Sequence, residues 1–176
     1  MRTLVEGNRK LFWAFAVATL VLDQLTKLLL WHHPAEGRPN IVLVPHLLQI
    51  VSHPGNTKGV LGLGPGSVLF YIVMAAVALV VVGVLFVTAE SHKVIVHAAL
   101  GLVTGAAVGN LVDRIAFGFV RDFIDLHWGE ALHWHTFNVA DAAICVGFAL
   151  IIYDAFAGKG RRVKAPDSGP GPPQTP

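Results

Sequence analysis

The chain has 176 residues, 54% of them hydrophobic and only 14% charged, where a soluble domain carries about 25% charged residues. Its mean hydropathy of +0.62 is reached despite a polar stretch from Gly158 to Pro176, so the apolar residues must be gathered in long blocks, and a membrane protein is the first expectation. A net charge of +2 without a basic stripe interleaved with aromatics speaks against nucleic acid as a partner, and the single Cys145 excludes an internal disulfide or a multi-cysteine metal site.

Four apolar blocks are each long enough to cross the roughly 30 Å of hydrocarbon that about 20 helical residues span. They lie at about 11–31, 67–87, 94–113 and 136–156. The first could be misread as a cleaved signal peptide, because Ala16-Val-Ala18 follows basic residues, but its apolar run continues to Trp31. Between it and the second block, Asn40-Ile-Val-Leu-Val and Leu47-Leu-Gln-Ile-Val are β-prone runs around Pro45, followed by the turn-rich His53-Pro-Gly-Asn and Gly62-Leu-Gly-Pro-Gly. A small sheet against the outer leaflet is expected there, within an external loop at about 38–64. The second block carries no charge at all. In the third, Gly101, Gly105 and Gly109 recur every four residues, a flat stripe that lets another helix backbone approach closely.

The expected fold is therefore an all-α membrane protein of four transmembrane helices, one domain over 1–157, with a small extracytoplasmic β-rich loop region. The Pro/Gly-rich, basic segment 158–176 reads as a disordered cytoplasmic tail. Eight basic residues (Arg2, Arg9, Lys10, Lys93, Lys159, Arg161, Arg162, Lys164) fall on one side of such a topology and four (Arg38, Lys58, Arg114, Arg121) on the other. That bias puts both termini in the cytoplasm and the two long connections outside.

Ionisable residues inside the blocks are the informative ones, since each costs about 2.5–3.5 kcal/mol at a bilayer centre on insertion scales. Asp23 and Lys27 stand one turn apart with the acid first, so they can pair, either as a packing device or as part of a site. Asp141 lies near the start of the fourth block, three residues after Asn138, and needs a partner from elsewhere. Asp113, Asp122 and Asp125, at or beyond the outer end of the third block, are the candidates, with Asn110 and Arg114 on a shared face if that helix persists. Asn110 and Arg114 alone read as a helix-end cap and an interfacial arginine. With Asn138 and Asp141 at the same membrane face they read as a site.

Two carboxylates within hydrogen-bond reach share one proton and titrate as a unit, the arrangement with which aspartic proteases activate water. Rival chemistries fit less well. Ser52, Ser67 and Ser91 lack a nucleophile-elbow context. His127, His133 and His135 could hold zinc, but no H-E-x-x-H is present, and Trp31, Trp128 and Trp134 read as an interfacial aromatic belt. A small transporter or proton-coupled channel using Asp23, Lys27 and Asp141 as a relay is the alternative of another class; large asymmetric loops and no inverted repeat weigh against it.

Four stretches in order carry a family resemblance: Asp23-Gln-Leu-Thr-Lys27, Gly105-Ala-Ala-Val-Gly-Asn-Leu-Val-Asp-Arg114, Val120-Arg-Asp-Phe-Ile124 and Phe137-Asn-Val-Ala-Asp141. With them the chain resembles the bacterial lipoprotein signal peptidases (signal peptidase II) from about Leu11 to Phe156. The resemblance implies that Asp122 and Asp141 are the catalytic pair and that Asp113 is a supporting residue, with Asp125 a bystander. It implies that Asn110, Arg114 and Asn138 line the site, that Asp23 and Lys27 support it, and that Asn56 belongs to it. The implied reaction is hydrolysis before a diacylglyceryl-modified cysteine of a prolipoprotein, in the bacterial inner membrane, by a monomer needing neither metal nor cofactor, with membrane lipids and lipidated precursors as partners. One stretch departs from the family pattern: Asn56-Thr-Lys-Gly-Val-Leu needs a one-residue shift to align Gly59 and lacks the usual Ala and Phe, which leaves the parts of Lys58, Gly59 and Leu61 open.

Overall fold

The computed structural model describes residues 2–57, 67–90, 93–129 and 132–161. Lys58, Gly59, Leu61 and the Gly62-Leu-Gly-Pro-Gly turn lie outside the described residues, as does all of the tail beyond Arg161. Four helices carry the fold: α1 (Arg2–Leu30), α2 (Val68–Thr88), α3 (Val94–Phe117) and α4 (Val139–Arg161). All four are long and apolar enough to cross a membrane.

Their limits follow local chemistry. Helix α1 begins well before the apolar block at 11, taking in Arg2 to Lys10. Ser67 caps α2 by accepting from the Phe70 N–H. Helix α3 runs past Asp113 to Phe117 and stops at Gly118, whose φ of 79° is a left-handed conformation that glycine adopts without a Cβ penalty. Helix α4 starts three residues later than the apolar block at 136, since Asn138 serves as its cap.

Packing is dominated by α3, half-buried in the middle. Phe12, Ala16, Thr19, Asp23 and Lys27 form the buried stripe of α1, spaced by three and four residues. They meet the glycine stripe of α3 in register. A Cβ on Gly101 would collide with the Phe12 carbonyl, one on Gly105 with the Ala16 carbonyl, and one on Gly109 with the Asp23 carboxylate. The two helices therefore run parallel at a separation that only glycine permits. Gly147 of α4 likewise meets Val103 and the Ala99 carbonyl, antiparallel to α3. Helix α2 packs on α3 and buries little beyond Val82.

The C-terminal ends of α1 and α3 and the N-terminal ends of α2 and α4 share one end of the bundle, where a small antiparallel sheet sits. Its strands are β1 (Ile41–Val44), β2 (Leu48–Ile50), β3 (Ile124–Trp128) and β4 (Leu132–His133), in that spatial order. The β-prone runs around Pro45 supply β1 and β2; β3 and β4 come from the second connection, which the sequence reading left without strands. The pairing of Leu48 with Leu126 and Ile50 with Ile124 ties the two connections together.

Candidate active site

Two short bridges bring the sheet's edges onto the helix ends. Asn56 and Val120 exchange backbone hydrogen bonds at 2.8 and 2.9 Å, and Ile124 pairs with Phe137. The first sets Asn56 beside the residue two before Asp122. The second holds the 120–124 segment against the start of α4. A turn at Gly55 makes the Asn56 approach possible: its φ is 95°, and a Cβ there would enter the Phe119 ring. His53 Nδ1 accepts the Gly55 N–H at 3.2 Å. Burial, with His135 nearby, lowers the pKa of His53, which keeps that nitrogen free to accept.

Asn138 is the pivot of the site. Its Oδ1 accepts the Asp141 N–H at 3.0 Å and its own N–H reaches Asp141 Oδ2 at 3.3 Å, a reciprocal capping box at the first turn of α4. Its Nδ2 donates to Asp122 Oδ1 at 2.7 Å and to Asn110 Oδ1 at 3.2 Å. Asn110 in turn donates to Asp141 Oδ1 at 3.1 Å, and Asn56 donates to Asp122 Oδ2 at 2.9 Å. Each oxygen of both carboxylates thus accepts a fixed N–H. Burial first, and the neighbouring Asp141 charge second, push the Asp122 pKa up to about 7, against the pull of the Asn56 and Asn138 amides.

Of the three acids that could partner Asp141, Asp122 shares Asn138 with it. Asp113 instead faces Lys27 at 3.2 Å and Arg121 at 2.8 Å. Asp125 belongs to the sheet, where Gln49 donates to it at 2.8 Å and His127 stands at 3.1 Å. His127 lies opposite His133 across β3 and β4, and among the described residues no three His, Cys, Asp or Glu side chains gather as a metal set would.

Asp23 and Lys27 lie directly beneath. Lys27 Nζ, fully buried, reaches Asp23 at 2.8 Å and Asn110 Oδ1 at 2.8 Å as well as Asp113, so all three ammonium protons have acceptors. Asp23 also accepts the Ala140 N–H at 3.0 Å, satisfying a free donor of the α4 N-terminus. Two members of this layer escaped the sequence reading. Gln24 bridges Asp23, Asp113 and the Gly109 carbonyl, and Arg121 accompanies Asp113. Once Asp23 and Asp113 are seen to be buried, one lysine leaves a negative charge over, which calls for a second cation.

A cleft of about 690 Å³ opens from Asp141 between α2 and α4 with α3 as its floor. Ala75, Ala78, Ala107 and Ile144 make its walls apolar, whereas Asn110, Arg114 and Asp141 line its polar end. The Arg114 guanidinium lies 5.2 Å above the Tyr71 ring and donates to the Asn110 carbonyl at 3.3 Å. The arrangement sets Asp141, tied to Asp122 through Asn138, at the polar end of an apolar slot between two helices long and apolar enough to cross a membrane.

Comparison with known proteins places the chain in a family. A family model described as Signal peptidase (SPase) II matches residues 15–157. The Lipoprotein signal peptidase of Geobacter sulfurreducens is 36% identical over 164 residues, covering 92% of this chain and 100% of that protein. That of Polynucleobacter necessarius is 38% identical over 143 residues, covering 81% of this chain and 86% of its own. A solved structure described as a bacterial membrane enzyme superposes with a TM-score of 0.74 at 27% identity, over 88% of this chain and 92% of that one. With the match running through all four helices, the chain belongs to the signal peptidase II family, a family of aspartic peptidases.

Proposed function

We propose that the protein is a membrane aspartic endopeptidase that removes the signal peptide from diacylglyceryl-cysteine prolipoproteins, with Asp122 and Asp141 as its catalytic pair. The observation that carries the reading is Asn138, bonded to both carboxylates at the polar end of an apolar cleft. One proton shared by the pair lets the ionised carboxylate accept a proton from water as the water oxygen attacks the scissile carbonyl carbon. The protonated partner hydrogen-bonds the carbonyl oxygen. Collapse of the tetrahedral intermediate breaks the C–N bond, and the departing amine takes the proton the pair received.

The substrate's two acyl chains fit the apolar slot between α2 and α4, which is open to lipid, while Arg114 and Asn110 face the peptide at its polar end. Asn56, Asp113, Asp23 and Lys27 support the carboxylates from below and beside. The excess of basic residues at the opposite end of the bundle supports cytoplasmic termini and a site facing outward from the bacterial inner membrane. A monomer contains every group the mechanism uses, with lipidated precursors and membrane lipids as its partners.

The test is cleavage of a lipidated precursor in detergent by the Asp122→Asn and Asp141→Asn variants. Each alone abolishes cleavage, and EDTA leaves the wild type unchanged. Normal cutting by either variant rejects the assignment.

A further inference from the structure

Below the carboxylate pair, Asp23 and Asp113 are both fully buried, and Lys27 cannot neutralise two acids. Arg121, 8% exposed, brings the missing charge. Its Nη2 donates to Asp113 Oδ1 at 2.8 Å and to Gln24 Oε1 at 2.9 Å, its Nε reaches Asp113 Oδ1 at 3.3 Å, and its backbone N–H donates to Asp113 Oδ2 at 3.0 Å. The guanidinium carbon sits 4.7 Å over the Phe117 ring. One residue thus grips Asp113 with main chain and side chain together, and the next residue along the chain is Asp122.

Resting on the reading of Asp122 and Asp141 as the catalytic pair, we propose that Arg121 is a positioning residue of the peptidase, fixing the turn that delivers Asp122 and holding Lys27 on Asn110. The logic is electrostatic and geometric. With Arg121 in place, Asp113 is satisfied, and Lys27 can spend one proton on Asn110 Oδ1 at 2.8 Å. That bond orients the Asn110 amide so that its Nδ2 faces Asp141. Without the Arg121 charge, Asp113 draws Lys27 toward itself, Asn110 is free to turn, and Asp141 loses a donor. Lys27, whose charge bears on Asp122, is then drawn away from it, and Asp122 holds its proton more tightly. The groups bearing on Asp122 are Lys27 from α1, Arg114 from α3, Asn138 and Asp141 from the start of α4, and Asn56 from the first connection.

The experiment compares Arg121→Gln and Arg121→Lys with the wild type and Asp122→Asn, all purified in detergent, on a synthetic diacylglyceryl-cysteine peptide. It reads kcat, KM and the pH profile. Arg121→Gln lowers kcat about ten- to a hundredfold with KM little changed, and moves the alkaline fall-off of the rate upward by about half a unit or more. Arg121→Lys keeps the charge, so its profile stays with the wild type while kcat recovers in part. Wild-type kcat and profile in Arg121→Gln overturn the inference. Should Arg121→Gln fail to fold, Arg121→Lys decides, since a displaced profile in that variant overturns it equally. Cleavage by Asp122→Asn would reject the catalytic pair itself, whereas a dead Asp122→Asn beside an indifferent Arg121→Gln removes only the part given to Arg121.

Discussion

Asn138 and Asp141 cap one another: the Asp141 N–H donates to Asn138 Oδ1 at 3.0 Å, and the Asn138 N–H to Asp141 Oδ2 at 3.3 Å. The same geometry that starts α4 also aims its carboxylate, so fold and chemistry are coupled at one residue. Asn138→Ala removes the cap and the amide held on Asp122. It is expected to cost about 1 kcal/mol of stability and to lower cleavage by far more than that loss of folded protein explains. Asn138→Ser restores the cap alone. Thermal melts read beside precursor cleavage separate the two, and full activity in the Ala variant would contradict the pivot role.

The pH dependence follows from Asp122. Its pKa, raised from 3.8 to about 7, means the folded protein holds this proton where the unfolded chain has lost it. The stability tied to the neutral form is complete below about 4 and is lost as pH rises through about 7. The melting temperature of the wild type should therefore fall relative to Asp122→Asn across that interval. Cleavage by the wild type should decline on the alkaline side as the pair loses its shared proton. Parallel melting curves for the two proteins at every pH would remove the basis for this.

The glycine stripe gives a prediction about packing alone. A Cβ at Gly105 meets the Ala16 carbonyl and stands 2.9 Å from Thr19 Cβ, whereas one at Gly83 meets nothing within 4 Å. Gly105→Ala is expected to push α1 from α3 and destabilise by about 1–3 kcal/mol. Gly83→Ala, on the lipid side of α2, should be neutral or slightly stabilising. Detergent melts of both variants check the contrast, and an unaffected Gly105→Ala would mean that α1 and α3 do not rely on close approach.

The glycine stripe was legible in the sequence because close helix approach needs small residues at fixed spacing, and the four helices because apolar blocks of that length have one use. That Asn110, Asn138 and Asp141 share one membrane face was readable from the topology, but the choice of Asp122 as partner and the place of Asn56 came only through family resemblance, since the Asn56–Val120 and Ile124–Phe137 bridges that set them join separate segments. Strand β3 had a local signal, Ile124, Leu126 and Trp128 alternating with Asp125 and His127, but five residues in a polar connection do not declare a strand until β2 pairs with them. Arg121 counted only as an external charge, because nothing in the sequence says that it folds inward onto Asp113.

Lys27 separates a buried ionic network from an ordinary ion pair. It is fully buried and faces two carboxylates, whereas Lys93 meets Asp154 at 3.0 Å with 38% of its side chain exposed. Removing one partner of a buried network leaves charge that water cannot reach, at a cost of about 3–5 kcal/mol, while a partly exposed pair contributes about 0–1 kcal/mol. Lys27→Met should thus melt far below the wild type and, where folded protein is recovered, cleave poorly because Asn110 loses its anchor. Lys93→Met should match the wild type in both respects. Adding Asp23→Asn to Lys27→Met removes one stranded charge and should regain part of the stability without regaining cleavage. A double variant no more stable than the single one would mean that the lysine's role is packing, with its charge incidental.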